Sequence, residues 1–228
     1  MKNQITANHH WCKTALGTPI PLFQKTHTDD TGILFIGGVH GDEPEGVKLA
    51  EEFLNELIQM DQMGLETRSW SLITCLNPDG YSRKERVNGN GVDLNRNFPS
   101  HNWSPHFEKP RYFPGPVPAS EAEVRSVTDL IRELNLQLIV HFHSWKPCIV
   151  YTGEPGKHWA EEIAARCGYE AKPDIGYPTP GSLGDYGWND LHIPVICIEE
   201  QEGAPLATVW PRFEKALKWL VTSESKLK

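Results

Sequence analysis

The chain has 228 residues, 39% of them hydrophobic, with eight tryptophans and a formal net charge of −8 from 22 Lys and Arg against 30 Asp and Glu. That is enough apolar material for one sizeable core, and residues 1–228 are read as a single domain. The acidic balance gives no general electrostatic case for nucleic acid or acidic membranes, so an anionic ligand needs a local basic patch.

Met1 to His10 lacks the apolar stretch of a secretory signal, and no later run approaches the roughly 18 apolar residues of a membrane span, so a cytoplasmic location is expected. Cys12, Cys75, Cys148, Cys167 and Cys197 are odd in number and scattered, which favours reduced, mostly buried thiols over a disulfide framework or a zinc knuckle. The first predicted strand is Gly32 to Ile36, followed by "GGVHGDEPEG" and a helix from about Pro44. Proline suits a first helical turn, and Val47, Ala50, Leu54, Leu57 and Ile58 form its apolar face. Trp70 to Leu76 reads as a second strand. Asn77 to Pro118, rich in Asn, Gly, Pro and Arg, reads as a long loop, a length that implies function. A helix is expected from about Ala119 to Leu134, capped by Ser120 or a neighbour, then strands at Leu138 to Phe142 and Cys148 to Tyr151. Helices at Trp159 to Cys167 and Val209 to Leu220 flank a last strand, Pro194 to Ile198. This alternation predicts an α/β fold.

His40 and Glu43, three residues apart in a turn entering a helix, can reach one cation. A third ligand comes from Leu138-Ile139-Val140-His141-Phe142-His143, where strand alternation puts both histidines on one face and His143 nearer the carboxyl end. Asp42 is read as the cap of the following helix and His141 as a supporting or core residue, while His9, His10, His101 and His106 lack a matching partner. Two histidines and one carboxylate leave a position for water, the pattern of a catalytic rather than structural zinc. Hydrolysis also needs a base. The strand ending Ile198-Glu199-Glu200 offers two acids of opposite parity, of which at most one faces the metal. In the long loop, Arg83, Lys84, Arg86 and Arg96 form a basic cluster suited to carboxylates.

These blocks, together with "NPDG" at Asn77 to Gly80, "DLNRNF" at Asp93 to Phe98 and "ICIE" ending at Glu199, resemble the zinc carboxypeptidase family of carboxypeptidase A from about Gly32 to Gly203. The resemblance implies a mixed, twisted β-sheet flanked by helices and one Zn2+ per chain on His40, Glu43 and His143. It assigns Glu199 as the catalytic glutamate and implies that Arg86 polarises the scissile carbonyl. It further implies that Asn95 and Arg96 grip the substrate carboxylate and that Tyr177 closes over bound substrate. "RVNGNGVDLNRNFP", "PASEAEVRSV" and "GYPTPGSLGDYG" are similar to the family's bacterial murein tripeptide amidase branch, which cleaves the γ-D-glutamyl bond to diaminopimelate. A peptidoglycan-derived peptide is therefore the expected partner, with Asp185 a candidate for its distal amine. Rival expectations are a general metallocarboxypeptidase and an aspartoacylase or succinylglutamate desuccinylase type of deacylase. The latter shares the metal motif but not the extended "DLNRNFP" and "TPGSLG". A binding module that had lost catalysis would lack a ligand or the glutamate, and this chain has them all.

Overall fold

The computed structural model describes residues 4–27 and 30–222, so the first three residues of the polar N-terminal stretch lie outside the described residues. Among the described residues, eight strands form one sheet: β1 (Thr6–Lys13), β2 (Pro19–Lys25), β3 (Gly32–Ile36), β4 (Trp70–Ile73), β5 (Leu136–Trp145), β6 (Cys148–Thr152), β7 (Ala171–Lys172) and β8 (Val195–Gln201). Their spatial order is β1-β2-β4-β3-β5-β8-β6-β7. The central pairings β4/β3, β3/β5 and β5/β8 are parallel, whereas β1/β2, β2/β4 and β6/β8 are antiparallel, making the sheet mixed.

The apolar runs behave as expected: β3 begins and ends where its sequence predicts, and every residue in it is buried. Strands buried on both faces read as continuous apolar runs. Here α1 (Pro44–Gln62), α4 (Gly156–Cys167) and α6 (Leu206–Val221) contribute Phe53, Trp159 and Phe213 to one face. On the other face, α3 (Ala122–Glu133) contributes Val124, Val127 and Ile131, joined by Leu183 and Tyr186. Strand boundaries move by two or more residues where β4 stops at Ile73, where β5 runs from Leu136 to Trp145 and where β8 extends to Gln201. The extensions matter because they carry His143 and Glu199 within the hydrogen-bonded sheet.

Other corrections concern polar segments. Strands β1 and β2 were not expected, since β1 is mostly exposed and carries Asn8, His9 and His10 on the sheet edge, where no apolar alternation is needed. The loop from Asn77 to Pro118 contains α2 (Pro78–Arg83) and two short 3-10 turns, Leu94–Arg96 and Pro110–Tyr112. Its backbone is satisfied by buried asparagines. Asn97 Nδ2 donates to the carbonyls of Pro114 (2.7 Å) and Val117 (3.1 Å), and its Oδ1 accepts from Glu121 N at 3.1 Å. Ser120 does not cap α3; the cap position is Glu121, without a side-chain cap, and Ser120 Oγ donates to the Glu121 carboxylate at 2.7 Å.

Two close approaches position the β3–α1 turn. A Cβ on Gly41 would fall 2.0 Å from the Gly80 carbonyl carbon, and one on Gly46 would fall 2.5 Å from Phe142 O. Only glycine at these positions lets the turn lie against α2 and the first turn of α1 lie against β5. The chain leaves β3 for β4 on one side and returns to β5 on the other, so the turn sits where sheet order reverses, a place where α/β folds hold ligands.

Candidate metal and catalytic centre

Alternation along β5 sends Leu138, Val140 and Phe142 into one core and Ile139 into the other, and His141 and His143 share the parity of Ile139. Along β8, Ile196 and Ile198 go with the first core and Val195 with the second, so Cys197 and Glu199 share the histidine face. Parallel register places His143 beside Glu199 and His141 beside Cys197. Parity thus separates the two acids that the sequence left open. Glu200 projects to the opposite face, where it accepts hydrogen bonds from Tyr169 Oη and from Arg212 Nε, the latter at 2.9 Å.

His40, Glu43 and His143 converge, with ligand atoms all within 4.8 Å of one another. Glu43 Oε1 lies 2.7 Å from His40 Nδ1 and Oε2 lies 2.8 Å from His143 Nδ1, while the two Nδ1 atoms are 3.0 Å apart. The far nitrogens have acceptors: His40 Nε2 is 3.1 Å from Asp93 Oδ1, and His143 Nε2 is 2.9 Å from His141 Nδ1. Protons placed on both Nε2 atoms leave both Nδ1 lone pairs aimed at one point beside a carboxylate. That donor set, two imidazoles and one carboxylate, fits zinc. A second convergent group, His141, His143 and Cys197, shares His143 through the same side of the sheet.

The electrostatics follow from burial and proximity. Burial alone would raise Glu43, but His40 and His143 outweigh it and hold the carboxyl well below the usual range. Burial likewise opposes Asp93, and Arg86 with His40 pulls it well below the ordinary carboxylate value. Burial lowers His143 and, helped by the other two histidines, holds His141 well below the usual imidazole value. Glu199 goes the other way. Burial and then the Glu43 carboxylate push it up to about 8. Its Oε1 accepts from Cys197 Sγ at 3.2 Å, while the buried Oε2 has no hydrogen-bond partner among the described residues.

His40, Glu43, His141, His143, Cys197 and Glu199 line one cavity of about 780 Å³, together with Arg86, Asn95, Arg96 and Tyr177. The expected metal ligands His40, Glu43 and His143, catalytic groups Glu199 and Arg86, and substrate contacts Asn95, Arg96 and Tyr177 are all among them. Arg86 is held by Asp93 (Nε to Oδ2, 2.8 Å) and Glu43 (Nη1 to Oε1, 3.3 Å) and lies over the Tyr112 ring. Arg96 differs. It is 9% exposed, its Nη1 donates to the Asn95 carbonyl at 2.7 Å, and it has no carboxylate partner among the described residues. Asn95 Oδ1 accepts from Leu183 N at 2.9 Å, tying the 3-10 turn to α5 (Leu183–Asp185). Tyr177 is exposed on the rim, edge-on to Trp145 at 5.7 Å. Asp185 lines the cavity too, with its carboxylate near Ser182 Oγ and accepting from Asn189 Nδ2, both at 3.1 Å.

The expected basic cluster divides: Arg83 and Lys84 are exposed and outside the cavity lining, whereas Arg111 and Tyr112, not singled out in the sequence, are part of it. Asp42 is not a helix cap; it accepts from Arg111 Nη2 at 2.8 Å on the rim. Asp93 was visible inside "DLNRNF", but its role as the shared acceptor for His40 and Arg86 needed the fold. Nothing in the local sequence marks Arg111 or Tyr112, since their contacts span the long loop.

Comparison with known proteins gives a consistent picture. Residues 2–198 match the profile of a family described as zinc carboxypeptidase. The chain is 30% identical over 203 residues to murein peptide amidase A of Escherichia coli strain K12, an alignment covering 83% of this chain and 79% of that protein. Its structure resembles the crystal structure of murein-tripeptide amidase from Escherichia coli O157 with a TM-score of 0.73 at 27% identity, over 92% of this chain and 89% of that one. Bovine thrombin-activatable fibrinolysis inhibitor, solved with a tick carboxypeptidase inhibitor, gives a TM-score of 0.78 at 18% identity, over 94% and 87% of the two chains, a likeness of fold alone.

Proposed function

The chain belongs to the zinc carboxypeptidase family and is a hydrolytic enzyme, and from that premise we propose that it cleaves the γ-D-glutamyl–diaminopimelate amide of the murein tripeptide L-Ala-γ-D-Glu-diaminopimelate. The same proposal treats residues 1–228 as one catalytic domain that recycles wall fragments in the cytoplasm. The observation that carries the anionic substrate is Arg96: a buried guanidinium in the cavity wall, with no carboxylate in ion-pair contact among the described residues, is suited to bind an anion. The two murein amidases named above, similar over most of the chain, favour a wall peptide as the source of that anion.

His40, Glu43 and His143 would hold one zinc per chain. Bound zinc supplies Lewis-acid chemistry at that point, acidifying water and polarising a carbonyl. Asn95 and Arg96 bind the carboxylate adjoining the scissile amide, which orients the peptide along the cavity. Glu199 accepts a proton from the attacking water at its unpartnered Oε2 and passes it to the leaving nitrogen. Arg86 donates to the carbonyl oxygen as negative charge develops there. Tyr177 closes over the substrate from the rim, and Asp185 faces the distal ammonium of diaminopimelate. An analogue lacking that group forgoes the charge pairing with Asp185 and binds the transition state less well.

The deciding experiment compares kcat/KM for this tripeptide with the same peptide ending in alanine or lysine, alongside an N-acyl-aspartate. Preference for the diaminopimelate peptide is expected. Equal rates on the three peptides reject the specificity and leave a general metallocarboxypeptidase, whereas activity on the acyl-aspartate alone replaces it with a deacylase.

A further inference from the structure

The two histidines of the metal centre are backed differently. Behind His40 stands a carboxylate, Asp93, itself tied to Arg86. Behind His143 stands another imidazole, with His141 Nδ1 2.9 Å from His143 Nε2 and the rings edge to face at 4.7 Å. Both rings are buried, and each is 3% exposed. A ring nitrogen pair at that distance holds one proton between them, so one nitrogen donates and the other accepts. Metal-ligating histidines are held in a single tautomer by the partner of their other nitrogen.

We propose that His141 is a positioning residue of the metal centre: its Nδ1 lone pair accepts the Nε2–H of His143, which keeps His143 Nδ1 as the lone pair facing Glu43 and His40. The inference rests on the reading that His40, Glu43 and His143 bind zinc. It assigns to His141 the job that Asp93 performs for His40, but with a neutral acceptor. A neutral group suits this position because Glu43, Asp93 and Glu199 already place three carboxylates around the centre, with Arg86 in ion-pair contact with the first two. A fourth acid behind His143 would add an uncompensated buried charge. His141 touches no reacting atom in this scheme; it acts through His143.

The test measures Zn2+ affinity of the full chain by competition with a chromophoric chelator, for wild type, His141→Asn and His141→Leu. Asparagine can place a carboxamide oxygen near the position of Nδ1, whereas leucine has similar bulk and no acceptor. Loss of an outer partner of this kind lowers metal affinity about 10- to 100-fold, which is the loss expected for His141→Leu, with most of it restored in His141→Asn. Equal affinity in all three proteins overturns the proposal because the bond is idle. Equal weakening in both variants overturns it in favour of simple packing. A wild type without stoichiometric zinc sinks the metal reading itself, a failure distinct from the other two. Nitrogen-15 spectra of the zinc-loaded wild type give a readout independent of variant folding: protons on Nε2 of both His141 and His143 are expected, and a proton on His143 Nδ1 overturns the assignment.

Discussion

Besides the β3–α1 turn that bears His40 and Glu43, the centre has a strand-borne part and a loop-borne part, and these two are held by different forces. His143 and Glu199 sit on β5 and β8, where parallel register and alternation fix their height and face, and both strands are covered by cores on either side. Arg86, Asp93, Asn95 and Arg96 sit in the long loop, whose course is fixed by buried side chains bonding to backbone, such as Asn97 and Asn88. The strand part depends on burial of apolar neighbours, and the loop part on satisfied polar groups. Damage to the first should therefore remove chemistry, whereas damage to the second at Asn95, Arg96 or Asn97 should loosen substrate binding or local stability.

The largest effects belong to the strand part. His143→Ala should abolish stoichiometric zinc by metal analysis; full occupancy in this variant would refute the ligand assignment. Glu199→Gln should retain zinc and substrate binding yet lose at least about a hundredfold in turnover, the scale of acid-base catalysis. Near-normal turnover would remove Glu199 from the mechanism. Glu200 is a poor substitute because it is occupied on the opposite face by Tyr169 and Arg212.

Next in size is the loop part's grip on substrate. Arg96→Met removes charge-assisted hydrogen bonds worth about 1.5–3 kcal/mol, so kcat/KM should fall roughly ten- to a hundredfold, mostly through KM. The zinc content of Arg96→Met should be unchanged. An unchanged KM would show that the carboxylate is held elsewhere.

The same contrast explains what could be read in advance. Strands β3, β5 and β8 announced themselves as apolar runs between turn residues, and the motifs beside them carried the metal ligands. The choice of Glu199 came from resemblance alone; parity becomes decisive only once β8 is known to face the histidines with Cys197 and not Ile198. Strand β1 escaped notice because an exposed edge imposes no apolar period, and β2 because Pro19 and Pro21 flank its buried Ile20 and read as loop. Within the loop, Arg111 pairs with Asp42 across 69 residues and Asp93 serves two partners at once. Such contacts have no local periodicity, so a sequence pattern can show the residues and not the pairing.

A smaller and purely structural effect is expected at Asn97. Its carboxamide bridges Pro114, Val117, Ser120 and Glu121, so Asn97→Ala leaves several buried groups unsatisfied. A loss of about 1–3 kcal/mol in unfolding free energy is expected from denaturant titration. Stability unchanged within error would mean that the loop is held by its turns and not by this side chain.

The last contrast is in sign, and it separates the two parts by pH in chelator-treated protein. Asp93 in the loop has its folded pKa below the unfolded value, because Arg86 and His40 outweigh burial. Its contribution to stability is fully present above the unfolded carboxylate range and is lost as pH falls toward the folded value. Glu199 on its strand has a folded pKa raised to about 8, so the folded state holds a proton that the unfolded chain has already released. Its contribution is present below the unfolded value and is lost as pH rises from there to about 8. Each proton bound by only one state changes stability by at most about 1.4 kcal/mol per pH unit. Asp93→Asn should therefore flatten the acid limb of the stability profile, and Glu199→Gln should flatten the decline between weakly acidic pH and about 8. Denaturant titrations across pH for wild type and both variants read these slopes directly. If Glu199→Gln leaves the slope in that window unchanged, the carboxyl is already ionised in the folded protein, and its proton affinity is not set by burial beside Glu43.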